Sequence, residues 1–185
     1  MYQIVDDFER PDPDLVKEFS MIATSTLSDA MGRYGATTHE IKPLDPSFHM
    51  AGPAYTIRCY VKDNLMLHYG LRLANPGDIL VVEASGYSEG AFWGELMSTM
   101  AKRKQLGGIV LHTGARDRCK IREIGFPVFL RSVLPMGTLK DSPGSINLPV
   151  QCGGVVVNPG DIVVGDDDGV VVIPKEDART VLEDE

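Results

Sequence analysis

Two adjacent residues of opposite charge, Arg116 and Asp117, follow a predicted strand that begins at Gly108. Residues at the carboxyl end of such a strand are where α/β proteins tend to place ligands. If both side chains face one cleft, the guanidinium can pair with a substrate carboxylate or a developing enolate, and the carboxylate can bind a hard divalent cation through oxygen. A solvated surface pair is the ordinary alternative for two adjacent charges, and the pattern alone leaves both interpretations open.

A second candidate site begins at Gly94, where a glycine-bearing loop, 86–90, leads into a predicted helix. The N-terminus of a helix offers free backbone N–H groups and the positive end of the dipole, which together can hold a carboxylate or a phosphate. Here the backbones of Leu96 and Met97 would donate. An ordinary loop-to-helix junction, with Glu95 favoured by the dipole, explains the same residues.

The remaining patterns that could do chemistry give no site. The acidic run 166–168 invites a calcium interpretation, but it lacks the spaced ligands and the distant Glu of an EF-hand and predicts a tight turn. The four histidines have no metal-like spacing, and there is no Walker loop or dinucleotide fingerprint. Cys59, Cys119 and Cys152 have no CxxC spacing and predict small buried thiols in a reducing compartment.

Composition restricts the class of protein and its partners. A chain of 185 residues, 43% hydrophobic and 24% charged, fits one soluble domain over 1–185. Its 26 acidic and 18 basic residues give a net charge of −8, which opposes nucleic-acid binding through phosphate neutralisation. No signal-peptide pattern is present, and no stretch approaches the roughly 20 apolar residues of a membrane span. We therefore expect a cytoplasmic protein with no nucleic-acid partner and no membrane segment.

The periodicity of apolar residues predicts the elements that position the candidate residues. Helical spacing in the N-terminal segment, about 12–35, predicts two short helices, the second with a capping-box start at Thr26. Further helices are predicted over 64–73 and 175–185. Period-two alternation predicts a half-buried strand over 51–61. Short apolar runs between turns predict the other strands, at 79–82, 108–112, 127–130, 155–157, 162–164 and 170–173.

One short motif occurs twice. Asn-Pro-Gly-Asp stands at 75–78 and again at 158–161, each time before an apolar run. Proline presets the first dihedral of a turn and glycine accepts the positive φ that follows, so each copy predicts a turn that starts a strand. Two similar turns explain the repeated motif, and a duplicated half-domain is the other interpretation. The many β-branched strands among few helices predict an α/β domain with layered sheets.

The motifs occur in an order that is far more specific than any single one. They are 26–32, Pro76-Gly77-Asp78, Gly94-Glu95-Leu96, Gly114-Ala115-Arg116-Asp117, Gly153-Gly154, Pro159-Gly160-Asp161 and 168–174. In this order the chain resembles the RraA-like superfamily, which contains the regulators of ribonuclease E activity and the 4-hydroxy-4-methyl-2-oxoglutarate aldolases. The resemblance extends over most of the chain, from about Thr26 to Pro174.

The resemblance implies a layered β/β/α domain of the swivelling type, assembled as a homotrimer or hexamer with active sites in clefts between subunits. The chain is similar to the aldolases in having an acidic residue, twenty intervening residues and then Arg-Asp, which here are Glu95, Arg116 and Asp117. By this resemblance Asp117 ligates Mg²⁺ or Mn²⁺, and Glu95 holds the metal through water. Arg116 contacts the substrate, a small 2-keto acid.

The helix that begins at Gly94 would then receive the substrate carboxylate on the backbone of Leu96 and Met97. The activity implied is that of a class II, metal-dependent aldolase, which cleaves 4-hydroxy-4-methyl-2-oxoglutarate. The same site would decarboxylate oxaloacetate, because both reactions generate the enolate of pyruvate. A divalent cation and an adjacent guanidinium stabilise that charge as it develops, so no lysine Schiff base is required.

The resemblance also offers a second function, that of a non-catalytic regulator that binds ribonuclease E or a related protein. Regulators of that branch tend to lack the acidic residue after the Arg, so Asp117 favours the enzyme. The sequence departs from the aldolases at one position, because they place an acidic residue three positions after this Asp, where Lys120 stands. A cation there would oppose metal binding if it pointed inward.

Overall fold

The computed structural model describes residues 1–184. The helices within this range are α1 (Pro13–Phe19), α2 (Thr24–Ala30), α3 (Leu65–Leu73), α4 (Glu95–Arg103), α5 (Arg118–Ile124) and α6 (Ala178–Glu183). The strands are β1 (Gln3–Ile4), β2 (Lys42–Pro43), β3 (Met50–Arg58), β4 (Ile79–Glu83), β5 (Ala91–Trp93), β6 (Gly108–Ala115), β7 (Val128–Val133), β8 (Ser145–Ile146), β9 (Val150–Cys152), β10 (Val155–Val157), β11 (Ile162–Gly165) and β12 (Val170–Ile173). Between residues 1 and 184, no helix has the length and apolar character required to cross a membrane.

A ten-stranded sheet organises the molecule. Seven of its strands follow the order β1-β8-β3-β4-β6-β7-β2, and β5, β11 and β12 branch from this row. Its centre is parallel, because β3, β4, β6 and β7 run in the same direction. Parallel strands are covered on both faces and therefore consist of nearly continuous apolar runs, as in the buried residues 79–82 of β4. β11 joins β3 and β12 in antiparallel pairs, and β9 and β10 form a separate two-stranded sheet. The α/β class expected from the sequence is confirmed.

Two clusters of buried apolar side chains hold these layers together. The larger cluster surrounds the parallel strands and includes Trp93 and Phe126, whose rings stack with their centroids 5.9 Å apart. The smaller cluster joins the N-terminal and C-terminal helices to β11 and β12 around the fully buried Phe19 and Leu27. The helices near the two ends of the chain therefore pack on one part of the sheet, away from α4 and α5.

The two Asn-Pro-Gly-Asp turns have the same geometry, as predicted. Gly77 and Gly160 have φ angles of 87° and 88°, which only glycine adopts without strain. In each copy the aspartate Oδ2 accepts the N–H of the asparagine three residues earlier, at 2.8 Å. The copies differ in their partners, because Arg10 forms a two-bond ion pair with buried Asp78, whereas Asp161 accepts a backbone N–H from the C-terminal segment.

The second helix begins three residues before the start that the capping box predicted. Its N-cap is Ala23, whose side chain has no hydrogen-bonding group. Instead Asp166, 142 residues away, accepts the N–H of Thr24 at 2.8 Å and its hydroxyl at 2.7 Å. The capping box predicted at Thr26 is therefore wrong, because a distant carboxylate satisfies the first N–H of the helix.

The strand predicted over 51–61 is β3, and its half-buried character is also wrong. Both faces of residues 54–57 are buried because layers cover the sheet on each side. Thr56, which made the pattern alternate, is fully buried, and its hydroxyl donates to the carbonyl of Leu148 at 2.7 Å. A buried hydroxyl with a partner costs little, so polarity alone did not mark an exposed face.

The sequence interpretation did not include β5 or α5, which flank the candidate residues. It was correct for two of the three thiols, because Cys59 and Cys152 are buried, and burial raises the pKa of each to about 12. Cys119 lies on α5 and is exposed, which corrects the prediction for that thiol. Its position follows from α5 itself, since this short helix buries only Ile121 against the core.

Candidate active site

β5 and β6 bring two distant segments together at the carboxyl edge of the sheet. β5 lies parallel to the end of β6, and the N–H of Arg116 donates to the carbonyl of Trp93 at 3.0 Å. Because both strands end here, the chain leaves β5 through Gly94 into α4 and leaves β6 through Arg116 and Asp117 into α5. Residues twenty or more positions apart thus become neighbours.

The carboxylate of Asp117 links the two segments. Asp117 is the N-cap of α5 and has a left-handed backbone, with φ 62° and ψ 36°, a region that Asp tolerates better than most residues. Its Oδ2 accepts the N–H of Glu95, the first residue of α4, at 3.0 Å. No donor from residues 1–184 reaches Oδ1, and 39% of the side chain is exposed. One carboxylate oxygen is therefore open to the cleft.

Gly94 permits this close approach. Its φ angle of −163° is extended and available to any residue, so the requirement for glycine is steric. A Cβ atom at this position would lie 2.6 Å from Asp117 Oδ2 and 3.5 Å from Arg116 Cγ. Since the first distance is below any contact that a real Cβ makes, a side chain at position 94 would displace the carboxylate.

Arg116 lies at the mouth of the cleft between two glycines. Its Nε is 4.0 Å from Asp117 Oδ2, and 53% of the side chain is exposed. A Cβ on Gly137 would lie 3.2 Å from the guanidinium Nη1, and one on Gly94 would lie 3.7 Å from Nε. The guanidinium therefore remains next to the Asp117 carboxylate and accessible to a ligand from solution.

These residues line one cleft of about 460 Å³. Every residue proposed for the site from the sequence borders it, namely Gly94, Glu95, Leu96, Met97, Arg116 and Asp117. The sequence interpretation missed four polar residues on the opposite walls, which are Asn64, His68, Thr138 and Lys140. The start of a predicted helix at Asn64 was the only signal for any of them, because their proximity depends on how α3 packs beside α4.

Two of these cleft-lining residues carry buried polar atoms without a partner among residues 1–184. Asn64 is 5% exposed and donates through Nδ2 to the carbonyl of Phe92 at 2.8 Å. Its Oδ1 and the Nε2 atom of His68 are buried and have no partner among residues 1–184. Burial, together with the positive charges of Lys140 and Arg72, lowers the pKa of His68. The imidazole is therefore neutral at pH 7 and can either donate or accept at Nε2, depending on its tautomer.

The N-terminus of α4 faces the same space. The N–H of Glu95 is used by Asp117, but none of the acceptors in residues 1–184 is bonded to the N–H groups of Leu96 or Met97. The first N–H groups of a helix have no partner within the helix and lie at the positive end of its dipole. The side chain of Met97 is buried, whereas that of Leu96 is 84% exposed beside the cleft.

Lys120 does not form an ion pair with Asp117. Its ammonium donates to Glu123 Oε2 at 2.9 Å, one turn along α5, and this bond raises the pKa of Lys120. The side chain is 56% exposed. The lysine that replaces the usual acid of the aldolases is thus paired along its own helix.

The carboxylates of the cleft fit a cation that carries much of its own water. Among residues 1–184, no group of three or more His, Cys, Asp or Glu side chains is arranged to hold a metal ion. Mg²⁺ typically keeps several waters and is bound by one or two carboxylates plus oxygens of the substrate. Asp117 Oδ1, which has no donor, and the exposed carboxylate of Glu95 match that donor set.

The acidic turn 166–168 is structural, as predicted. Asp166 accepts the bonds from Thr24 described above and a third bond from the N–H of Asp168 at 3.0 Å. Partial burial by itself raises the pKa of Asp166, but the donors outweigh burial and lower it overall. Both of its oxygens are engaged within the fold, which leaves little capacity for a cation.

The fold and the cleft define a class of protein, a mixed α/β domain whose cleft combines an Arg-Asp pair with a helix N-terminus at the edge of a parallel sheet. A family model described as RraA-like, Aldolase/RraA, matches residues 24–172. The chain therefore belongs to the RraA-like family, which confirms the resemblance drawn from its motifs.

Individual relatives support this membership. A protein of Halalkalibacterium halodurans, provisionally named 4-hydroxy-4-methyl-2-oxoglutarate aldolase, is 37% identical over 92% of this chain and 81% of its own length. The structure of RraAS2 from Streptomyces coelicolor, described as an unusual member of the RNase ES inhibitor RraA family, is 30% identical with a TM-score of 0.83, over 94% of this chain and 92% of that one. The RNA-processing inhibitor RraA from Thermus thermophilis is 27% identical with a TM-score of 0.75, over 83% and 93% of the two chains.

Proposed function

We propose that the protein is a divalent-metal-dependent lyase that cleaves a small 2-keto acid through the enolate of pyruvate. The observation that carries the proposal is the pair Arg116 and Asp117 at the cleft mouth, with one carboxylate oxygen of Asp117 unbound by residues 1–184. The name of the Halalkalibacterium relative favours 4-hydroxy-4-methyl-2-oxoglutarate as a substrate. Oxaloacetate is a second substrate in this proposal, because its decarboxylation also generates the enolate of pyruvate.

In this proposal Asp117 ligates Mg²⁺ or Mn²⁺, and Glu95 holds the ion through water. The ion supplies a Lewis acid that stabilises the enolate oxygen as its charge develops. Arg116 pairs with the keto acid and stabilises the same charge through N–H donors. The N–H groups of Leu96 and Met97 bind the substrate carboxylate at the start of α4, where the helix dipole favours an anion.

The two reactions share one bond-breaking step. In the aldol cleavage the bond between C3 and C4 breaks, its electrons pass to C3 as the enolate of pyruvate, and the C4 hydroxyl gives its proton to water in the cleft as it becomes a carbonyl. In oxaloacetate the bond to the distal carboxylate breaks and releases CO₂. The enolate then takes a proton at C3 to give pyruvate, so neither reaction requires a redox partner.

We also propose that the chain acts as a homotrimer or hexamer in the cytoplasm. Apolar side chains beside the cleft are exposed, and clustered exposed apolar residues favour a protein interface. They lie on α3 and α4 and are Tyr69, Leu73, Leu96 and Met100. A second subunit on this face would complete the walls of the cleft.

Regulation of a ribonuclease without catalysis is the second candidate, and the similarity to the RraA inhibitor structures favours it. An inhibitor needs a binding surface but has no need of a carboxylate oxygen left open inside a cleft. Asp117 therefore distinguishes the two candidates. The net charge of −8 suits a protein partner for either function and opposes direct contact with RNA.

The test follows pyruvate release by the purified protein from 4-hydroxy-4-methyl-2-oxoglutarate and from oxaloacetate, with Mg²⁺ or Mn²⁺ and then with EDTA. We expect turnover that EDTA abolishes and that Asp117→Ala or Arg116→Ala reduces by about 100-fold or more. Asp29→Ala, which removes an exposed carboxylate on α2, is the matched control and should be as active as the unaltered protein. Turnover that survives EDTA and both substitutions would exclude the proposed site, and no turnover together with capture of a ribonuclease would favour the regulator.

A further inference from the structure

The wall of the cleft opposite α4 is an exposed segment, 137–142, of which Gly137, Thr138 and Lys140 line the cleft. Little apolar surface fixes this segment in place, because Leu139 is 65% exposed and Lys140 and Asp141 are also exposed. A segment without a buried apolar face depends on hydrogen bonds for its position. The bonds that hold it therefore decide the width of the cleft.

Gly137, at the start of the segment, pairs with Ala91 of β5, and the bonds of residues 139–142 converge on residues 62–65, directly before and within the first turn of α3. Two are backbone bonds, from the N–H of Asn64 to the carbonyl of Leu139 at 3.0 Å and from the N–H of Leu139 to the carbonyl of Lys62 at 2.8 Å. The others involve the carboxylate of Asp63. Its Oδ2 accepts the N–H groups of Asp141 at 2.8 Å and Ser142 at 3.1 Å.

The other oxygen of Asp63 binds the start of α3. Oδ1 accepts the N–H of Leu65, the first residue of α3, at 2.9 Å. α3 carries His68, and its N-cap is Asn64, so the two cleft-lining residues with buried polar atoms that have no partner among residues 1–184 belong to the helix that this carboxylate binds. Asp63 is 2% exposed and does not line the cleft itself.

We propose that Asp63 is a positioning residue that fixes the distance between α3 and segment 137–142 and thereby controls how tightly the cleft binds its ligand. This proposal deepens, and rests on, the lyase function proposed above for the same cleft. Asp63 acts through the two walls and not on the reacting atoms. Its loss should therefore weaken binding of substrate and leave the chemical step of bound substrate largely intact.

A carboxylate is the group that this position requires. Three backbone N–H groups point at two oxygens, and bonds from N–H to a charged acceptor are about twice as strong as neutral ones. Burial by itself raises the pKa of Asp63, but the bonds from Asp141, Leu65 and Ser142 lower it overall, so the group is ionised at neutral pH. Asparagine has one acceptor oxygen and would direct an NH₂ group at one set of donors, which leaves at least one buried N–H without a partner.

The experiment compares Asp63→Asn with Asp166→Asn, which alters another carboxylate that binds backbone N–H groups but lies away from the cleft. Amide hydrogen exchange of residues 139–142 reports the position of the wall without reference to catalysis. We expect exchange at Asp141 and Ser142 to become roughly tenfold faster in Asp63→Asn. In the control the exchange of these amides should not change.

Kinetics of pyruvate release provide the second readout. We expect KM to rise roughly tenfold in Asp63→Asn, with kcat within about twofold of the unaltered protein, and neither to change in Asp166→Asn. A fall in kcat with constant KM, or no change in exchange and KM in a folded Asp63→Asn, would overturn the proposal.

Two further results keep this proposal separate from the lyase proposal. If the unaltered protein releases no pyruvate, the lyase function fails, while amide hydrogen exchange of residues 139–142 in Asp63→Asn still tests the role of Asp63. If Asp63→Asn does not fold, amide hydrogen exchange in the unaltered protein tests the proposal instead. The proposal requires the amides of Leu139, Asp141 and Ser142 to be protected like those of a strand, and rapid exchange there would overturn it.

Discussion

Asp117 and Asp166 occupy similar places in two different parts of the molecule. Each follows a buried strand, β6 or β11, and each accepts the first N–H of a helix elsewhere in the chain, that of Glu95 in α4 or that of Thr24 in α2. In both helices the N-cap residue, glycine or alanine, lacks a side chain that could cap. A carboxylate supplied from a distant strand end replaces the usual cap in both cases.

The two carboxylates differ in what remains after the cap is made. Asp166 also accepts the hydroxyl of Thr24 and the N–H of Asp168, so its second oxygen is occupied. The second oxygen of Asp117 is bound by nothing within residues 1–184 and opens on a cleft that also contains Arg116. We infer that both oxygens of Asp166 stabilise the fold, whereas one oxygen of Asp117 stabilises the fold and the other is available to a ligand.

The largest expected effect is the loss of activity in Asp117→Asn. Asparagine and aspartate are equally good helix caps, and asparagine also tolerates the left-handed backbone at this position. The free energy of unfolding should therefore change by less than about 1 kcal/mol. The charged oxygen for the cation is lost, and we expect kcat/KM for oxaloacetate to fall by about 100-fold or more. Steady-state kinetics and urea unfolding of the same sample measure both quantities. Equal activity in the two proteins would show that the open oxygen has no catalytic role.

The next effect concerns the glycine that lets Asp117 approach α4. Gly94→Ala places a Cβ 2.6 Å from Asp117 Oδ2 and must move the carboxylate, so we expect kcat/KM to fall roughly tenfold to 100-fold. A double-mutant cycle with Asp117→Asn checks the cause, because two changes that act through one carboxylate are not additive. If the losses of the two single variants multiply in the double variant, Gly94 acts by another route.

Asp166→Ala should show the opposite behaviour to Asp117→Asn. It removes three bonds, including the cap of α2, and we expect the free energy of unfolding to fall by about 2 kcal/mol with kcat/KM unchanged. Urea denaturation measures the change. Asp167→Ala, at the exposed neighbouring carboxylate, is the control and should alter stability by less than about 0.5 kcal/mol. A loss of activity in folded Asp166→Ala would contradict the division of roles.

The smallest expected effect is the pH dependence of the contribution that Asp166 makes to the free energy of unfolding. Because the folded-state pKa of Asp166 lies below its unfolded value, its contribution is fully present above the unfolded pKa, near 4, and is lost as pH falls through the folded pKa. We therefore expect the difference in unfolding free energy between the unaltered protein and Asp166→Ala to shrink below about pH 4. Denaturation at a series of pH values measures it, and a difference that grows with acid would contradict the sign.

Much of the fold was predictable because it depends on local patterns. The repeated Asn-Pro-Gly-Asp turns, the helix that starts near Gly94 and the apolar strands of the parallel sheet all follow from turn chemistry and hydrophobic period. β5 could not be predicted, since three residues carry no period, and α5 is a short helix with only Ile121 buried. The extent of a single domain over 1–185 stays a prediction.

The site was predictable only in part, for a related reason. Spacing and the family motif pointed to Glu95, Arg116 and Asp117, and the structure places all three around one cleft. The link from Asp117 to α4 depends on β5, which the sequence did not reveal. The cap from Asp166 to Thr24 and the bonds of Asp63 join residues that are far apart in the chain, so no local pattern marks them.

The central claim is that the open oxygen of Asp117 binds a divalent cation, and titration of Mn²⁺ into the purified protein tests it most directly. Calorimetry of the unaltered protein and of Asp117→Asn, with Asp166→Asn as the control, compares the two carboxylates that cap a helix from a strand end. The account predicts one Mn²⁺ per chain in the unaltered protein and in Asp166→Asn, and a loss of that binding in Asp117→Asn. Equal binding of Mn²⁺ by the unaltered protein and Asp117→Asn would contradict it.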